Sequence, residues 1–331
     1  MKTNLIIILA LLLSISPIIA QTPFRVMFYN VENLFDPSDN PDKKEKEFTP
    51  NGSRHWSNKR YYTKLNNLAK VITALGEWDT PALVGLCEVE NDKVVHDLTT
   101  YSPLRNRQYR YIMTESEDAR GINVALLYQR DRFKYLYHNC IRITFPYNPQ
   151  KKTRDVLHVT GQIITGDTLD VFVCHFPSRR NGQLASEPDR VQVASVVRTV
   201  IDSLKTDRPN ANILIMGDFN DEPADKSLSQ ILVKDDLYNL FLPVSKQSYT
   251  GSYKFGEQWN FIDQIIVSIN LINQQRQFHV IPETARIFQA DFLLVDDRTH
   301  GGKRLKKTFN GYRYEGGYSD HLPVFVDFSV K

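Results

Sequence analysis

Six times along this chain an apolar run meets a cluster of carboxylate, carboxamide or imidazole side chains that are costly to bury. Asn30-Val31-Glu32 follows the run Phe24 to Tyr29, and Glu88-Val89-Glu90-Asn91 follows Ala82 to Cys87. His175 closes a run that begins at Leu169, and Asp218-Phe219-Asn220-Asp221 comes after Ile213 to Gly217. Asn260-Phe261-Ile262-Asp263 heads the run ending at Ser268, and Ser319-Asp320-His321 precedes Leu322 to Phe328. Open α/β sheets present ligands at their strand ends. A chain with this pattern is expected to present several of these clusters at strand ends. Taken singly, each cluster also fits a turn or a cap.

Between the clusters, short β-branched runs alternate with longer amphipathic ones, as in an α/β domain. Leu65, Leu68, Ala69, Ile72 and Leu75 recur at helical spacing from Asn58 and stop at Gly76, which predicts one covering helix. Val191, Ala194, Val197, Ile201 and Leu204 predict a second, and a shorter helix is expected around Val94 to Leu98. Ile122 to Tyr128, Val156 to Ile164 and Leu169 to Phe176 read as strands, the last two joined by a hairpin at Gly166-Asp167. The polar segment Asp36 to Trp56 reads as a surface loop. No repeat, low-complexity tract or linker divides the chain, so residues 21–331 are expected to form one domain with two sheets and helices outside them.

Lys2, the apolar stretch Leu5 to Leu13 and the small residue Ala20 match a secretory signal peptide over residues 1–20. The protein is expected to be secreted or periplasmic, starting near Gln21 and without stable membrane insertion. Lys+Arg 41 against Asp+Glu 38 gives a net charge of +3. That excess is too small for a binder whose affinity comes mainly from neutralising phosphates, so local groups must hold any polyanionic substrate. Three cysteines are too few for a disulfide framework.

Carboxylates and carboxamides are hard oxygen ligands, suited to Mg²⁺, Mn²⁺ or Ca²⁺. Asp218 can accept a proton, and Asn220 can donate a hydrogen bond from the same tight, Gly-containing turn. An imidazole at His175 can protonate a leaving group or stabilise an oxyanion, with Arg179 and Arg180 beside it to clamp phosphate oxygens. His321 next to Asp320 suggests an acid/base unit, with Asp263 fixing the imidazole tautomer. Arg120-Gly121-Ile122-Asn123 precedes a strand and reads either as a structural turn or as a stretch that brings Arg120 or Asn123 to the same cleft. The basic run Lys303, Arg304, Lys306 and Lys307 is expected to attract an anionic substrate.

The ordered set Asn30-Val31-Glu32, Glu88, His175, Gly217-Asp218-Phe219-Asn220, Asp263 and Ser319-Asp320-His321 resembles the endonuclease/exonuclease/phosphatase superfamily, and spans nearly the whole mature chain. The resemblance implies a DNase I-like, four-layered α/β sandwich. In it, two mixed, mainly antiparallel sheets pack face to face with helices on both outer sides. It also implies a metal-dependent phosphoesterase site in which Glu88, Asn30, Glu32 and Asp320 hold the ion. Asp218 would orient the attacking water, Asn220 would contact a phosphate oxygen, and His321, held by Asp263, would act as base or phosphate contact. His175 stands where apurinic endonucleases of this family carry a tyrosine, which argues against base-excision repair. Mg²⁺ is the expected cofactor, nucleic acid the favoured substrate and a monomer the expected state. Hydrolysis of a phospholipid or small phosphate ester is the alternative, and a silent binding protein the other class, against which the intact acidic and histidine positions argue.

Overall fold

The computed structural model describes residues 24–39, 46–77, 79–180 and 182–331. The expected export signal and the start near Gln21 lie outside them. In chain order the elements are β1 (Phe24–Leu34), α1 (Asn58–Gly76), β2 (Leu83–Val89), α2 (Asp92–Thr100), β3 (Arg110–Met113), β4 (Asn123–Tyr128), β5 (Phe133–Ile141), β6 (Val156–Ile163) and β7 (Thr168–His175). Then come α3 (Gln183–Asp207), β8 (Asn212–Asp218), β9 (Leu237–Asn239), α4 (Phe241–Gln247), β10 (Tyr253–Phe255), β11 (Gln258–Asn260), β12 (Asp263–Ser268) and β13 (Phe278–Ile287). The short strands β14 (Leu294–Asp296), β15 (Lys303–Leu305), β16 (Phe309–Asn310) and β17 (Arg313–Tyr314) precede the last one, β18 (Val324–Val330).

Two six-stranded sheets form, ordered β13-β18-β1-β2-β4-β3 and β5-β6-β7-β8-β12-β9. Each contains one parallel pair, β1 with β2 and β7 with β8, among antiparallel neighbours. The alternation of side chains along β8 shows why its sequence is apolar throughout. Leu214 and Met216 enter the cluster between the sheets, with Phe28, Leu83, Val171, Val173 and Ile265. Ile213 and Ile215 face outward onto Val193, Val197 and Ile201 of α3. On the opposite side α1 lays Leu65, Leu68, Ala69, Ile72 and Leu75 into the core. Its first turn is capped by Ser57, which accepts from the Arg60 N–H, and Asn91 caps α2 in the same way through Val94. This is the expected four-layered sandwich. Among the described residues no helix is long and apolar enough to cross a membrane.

Several elements differ from the sequence expectation, three of them for reasons that the structure makes plain. The helix expected from Val191 begins at Gln183 and runs through Pro188, a residue that usually interrupts a helical pattern. β5 was not anticipated because it is a sheet edge whose residues after Phe133 are mostly exposed, so it shows no apolar alternation. β13 was hidden by Pro282 and by a register shift between Ile281 and Arg286.

Gly217 lies within β8 rather than in the turn that follows. A Cβ there would come within 2.5 Å of the Cys174 carbonyl oxygen on β7. Gly217→Ala is expected to lose about 1–3 kcal/mol of stability by overpacking, measured by urea unfolding. Because β7 and β8 would be forced apart beside His175 and Asp218, turnover should fall as well.

Candidate active site

Strand register assembles half of the site. His175 at the end of β7 pairs with Asp218 at the end of β8, and Asp218 pairs with Asp263 at the start of β12. Neighbouring strands lie about 4.8 Å apart, so three titratable side chains stand in a row along one sheet edge. The other sheet contributes Asn30 and Glu32 from β1 and Glu88 from β2. Here the ladders are broken: the register shifts between Asn30 and Leu34 and between Cys87 and Val89. Glu32, Asn33 and Glu88 adopt left-handed φ values of 52°, 52° and 63°. For non-glycine residues such backbone is strained, and it is characteristic of sites where a bulge re-aims side chains.

The loop before β18 closes the cleft. Ser319 donates its hydroxyl to the Asn30 carbonyl at 2.6 Å and accepts the His321 N–H at 3.1 Å. His321 Nδ1 bonds Asp263 Oδ2 at 2.7 Å. That contact directs Nε2 inward, 3.8 Å from Asp218 Oδ2 and 4.0 Å from Asp320 Oδ1. The Asn30 amide donates to Asp218 Oδ2 at 3.0 Å, and the Asn220 backbone N–H donates to Asp218 Oδ1 at 2.9 Å. His175 Nε2 stands 3.7 Å from the same Asp218 carboxylate.

These surroundings give the two histidines opposite characters. Burial alone would lower the His321 pKa, but the charge and hydrogen bond of Asp263, with the Asp218 and Asp320 charges, hold it well above the ordinary value. Burial, reinforced by Arg154, Arg120 and His321, holds His175 well below the ordinary value. These surroundings favour the charged form of His321, whose Nε2–H can then donate to a phosphate oxygen, and the neutral form of His175. Burial and the neighbouring Asp263 charge push Asp218 up to about 7. A carboxyl with that proton affinity is matched to taking a proton from water near neutrality.

The acidic side of the cleft offers oxygen donors suited to a divalent cation, beside Asp218, Asp263 and His321, whose ligand atoms lie within 4.8 Å of one another. Glu88, Glu32 and Asp320 offer hard oxygen atoms, and Asp320 keeps 35% of its side chain open to solvent. Asp320 interacts electrostatically with both Glu32 and Glu88, and such like charges repel one another unless cations intervene. Protein cations meet part of that need: Arg120 reaches both Glu88 oxygens, at 3.2 and 3.3 Å, and Lys64 Nζ lies 3.7 Å from Glu32. Burial would raise the Glu88 pKa, but Arg120, His321 and the Asn33 N–H outweigh it and hold the group ionised. Glu32, where burial outweighs Lys64, is pushed up to about 7. Its carboxylate also accepts the Thr308 N–H at 2.7 Å, so Glu32 braces the loop that leads to Asp320. His175 Nδ1 and Asp263 Oδ1 are buried without a hydrogen-bond partner among the described residues.

Not every expected residue faces this cleft. Arg179 donates to the Asn220 carbonyl at 2.5 Å and pairs with Asp221 and Asp225. It holds the loop that carries Asn220, which corrects its expected role as a phosphate clamp. Arg180 is exposed in the same loop region, its N–H bonded to the Ser178 hydroxyl, and no contact joins its side chain to the cluster. Arg120 does enter the cleft, through Glu88. Asn220, with φ 50°, spends one amide proton on the Phe176 carbonyl and retains another.

Four further residues support the site, of which sequence reasoning missed Arg190, Arg154 and Lys64. Arg190 of α3 is fully buried, with Nε 2.7 Å from Asp221 beneath the Asn220 turn. Arg154 binds the Phe176 carbonyl at 2.7 Å. Tyr253 packs on the His321 ring, centroids 4.9 Å apart. Lys64, 1% exposed, donates to the Thr308 hydroxyl and the Tyr318 carbonyl. Only Lys64 left a signal, as a lysine on the apolar face of a helix between Tyr61 and Leu68.

Comparison with known proteins agrees with this geometry. Residues 25–330 match the model of the Endonuclease/Exonuclease/phosphatase family. The chain belongs to that family. Its members are divalent-metal-dependent phosphoester hydrolases, and the protein is accordingly an enzyme of this type. Zebrafish TDP2 humanised by 14 mutations shares 15% identity at a TM-score of 0.60, over 94% of this chain and 100% of that one. The human nocturnin catalytic domain shares 18% at 0.55, over 94% and 95%. A mannosyl-6-phosphatase of Bacteroides thetaiotaomicron shares 18% at 0.58, over 92% and 99%. At these identities the likeness is one of fold. No curated protein sequence matches the chain.

When bound, a divalent cation supplies neutralisation of phosphate charge and polarisation of the P–O bond. The protein's own residues are placed for the rest: the Asn30 amide and the Asn220 N–H fix the Asp218 carboxylate, which can accept a proton from water, and Asp263 turns His321 Nε2 toward the cleft, where it can meet a phosphate oxygen.

Two measurements test the site. Saturating divalent cation should raise the melting temperature of the wild type and leave Glu88→Ala essentially unmoved. Cation affinity, measured by calorimetry, should weaken as pH falls from about 8 to about 6. Asp218 and Glu32 take up protons near 7, and a bound cation must displace them.

Proposed function

We propose that this protein is an exported, Mg²⁺-dependent phosphodiesterase that acts on nucleic acid as a monomer. The observation that carries the reading is the geometry of one cleft, in which Asp263 holds His321 through Nδ1 and turns Nε2 to within 3.8 Å of the Asp218 carboxylate. A phosphodiester is anionic, its attacking water weak and its leaving alkoxide poor, so hydrolysis needs a proton acceptor, an oriented nucleophile and positive charge together. Exposed aromatic rings close in sequence to Tyr253, which packs on His321, support a polynucleotide. Tyr249 and Phe255, either side of the half-buried Tyr253, are 99% and 74% exposed and offer faces on which bases stack. Export is supported by the signal-like sequence of residues 1–20.

A second reading is hydrolysis of a compact phosphate ester. It is favoured by a recess of about 710 Å³ that opens beside Asp320, within the size range of small-molecule sites. One fold neighbour is a mannosyl-6-phosphatase.

The purified chain should be incubated with plasmid DNA, RNA, sphingomyelin vesicles and a hexose phosphate, each with Mg²⁺ or EDTA. Nicked plasmid or shortened RNA with Mg²⁺ alone is expected. Release of phosphate or phosphocholine without nucleic-acid cleavage would replace the nuclease reading with the second one. Asp218→Ala and His321→Ala should each lose at least about a hundredfold in rate.

A further inference from the structure

The recess beside Asp320 is built outside the two sheets, by β10 and by the segments that carry β14 to β17. Its wall includes Tyr253, Lys254, Arg298, Arg304, Lys307 and Arg313, with Asp320 at the catalytic end. The cations of this wall fall into two kinds. Lys254 is bound to Asp297 at 2.8 Å and to the Lys303 carbonyl at 3.0 Å, and Arg304 grips Glu315 through both arms of its guanidinium at 2.8 and 2.9 Å. These contacts fasten the hairpins to one another. Arg313 shares the already occupied Glu315 at 3.0 Å with 77% of its side chain exposed. Lys307 and the exposed Arg298 have no carboxylate within ion-pair distance among the described residues. Within the basic run singled out in the sequence, Lys303 pairs with Asp296 and Lys306 lies over the Tyr318 ring. Lys307 is the member left to face Asp320, where it also lines a smaller pocket shared with Glu32.

Cations that lie near carboxylates without a short ion pair of their own, as Lys307 does beside Asp320 and Arg298 beside Asp296, or that share one, as Arg313 does, keep donors for an anion brought by a ligand. The scissile phosphate cannot fill this role alone, because it must sit against Asp218 and His321 while the recess runs outward from Asp320. We propose that the recess is a subsite for a second phosphate group of the substrate, held by Lys307, Arg298 and Arg313. The inference rests on the phosphoesterase reading of the cleft and not on nucleic acid being the substrate. The second phosphate has two chemical sources: the next phosphate of a nucleotide chain or a second ester on a compact bisphosphate.

The test compares inhibition by propane-1,3-diphosphonate and by propylphosphonate at constant free Mg²⁺. The wild type should bind the diphosphonate at least about tenfold more tightly, the scale of one or two charged hydrogen bonds. In the double variant Arg298→Ala/Arg313→Ala the advantage should shrink to less than about threefold. Both residues are exposed, so the variant should fold, as an unchanged melting temperature would verify. Equal inhibition of the wild type by the two compounds, or an advantage that survives in the double variant, overturns the subsite. The source is read from KM on two pairs: a thymidine dinucleotide with and without a terminal phosphate, and a hexose bisphosphate against its monophosphate. A lower KM in the first pair assigns the next phosphate of a nucleotide chain, and in the second a compact bisphosphate. Turnover of the hexose pair alone, with the diphosphonate preference intact, would refute nucleic acid as the substrate while leaving the subsite standing.

Discussion

The structure depends on one constraint: carboxylates and histidines from two separate sheets are buried at a common edge, where their charges must be balanced against one another. Hydrogen-bonded register fixes His175, Asp218 and Asp263 in a row, and the loop before β18 lays His321 across them. In so tight a space no group titrates on its own. Asp263 charges His321, and the same aspartate discourages ionisation of Asp218. Opposed proton affinities within one cleft allow neighbouring groups to give and take protons at the same pH.

Balance on the acidic side comes from outside the strands. Lys64 reaches in from α1 and Arg120 from the loop before β4, and each meets a carboxylate on residues with left-handed backbone. Removing one partner of a buried pair leaves the other uncompensated. The strained bulges, the buried lysine and the acidic cluster are therefore one arrangement. The bulges turn Glu32 and Glu88 toward the cleft, and the cations make that orientation tolerable.

Much of this was legible in the sequence because strand ends and chemistry coincide. Asn30, Glu88, His175, Asp218, Asp263 and His321 all stand where an apolar run meets polar residues, and all reach the common edge. α1 was readable from its apolar spacing and its end at Gly76. What escaped depends on contacts between distant segments. Arg179 beside a histidine looks like a phosphate clamp, and only the folded loop shows its carbonyl and carboxylate partners. Arg190 looks like any helix arginine until the chain brings Asp221 against it. β5 and β13 were hidden because an exposed edge and a bulged strand do not keep the two-residue period.

The salt bridge between Arg190 and Asp221 carries a consequence for how the enzyme evolves and fails. α3 is the outer cover of the second sheet, yet its buried guanidinium fastens the turn bearing Asn220. Repacking that helix would disturb catalysis from the far side of the sheet. Damage to the cover and damage to the cutting edge would then arise together, and a variant enriched for tolerance to heat at α3 would carry altered turnover with it.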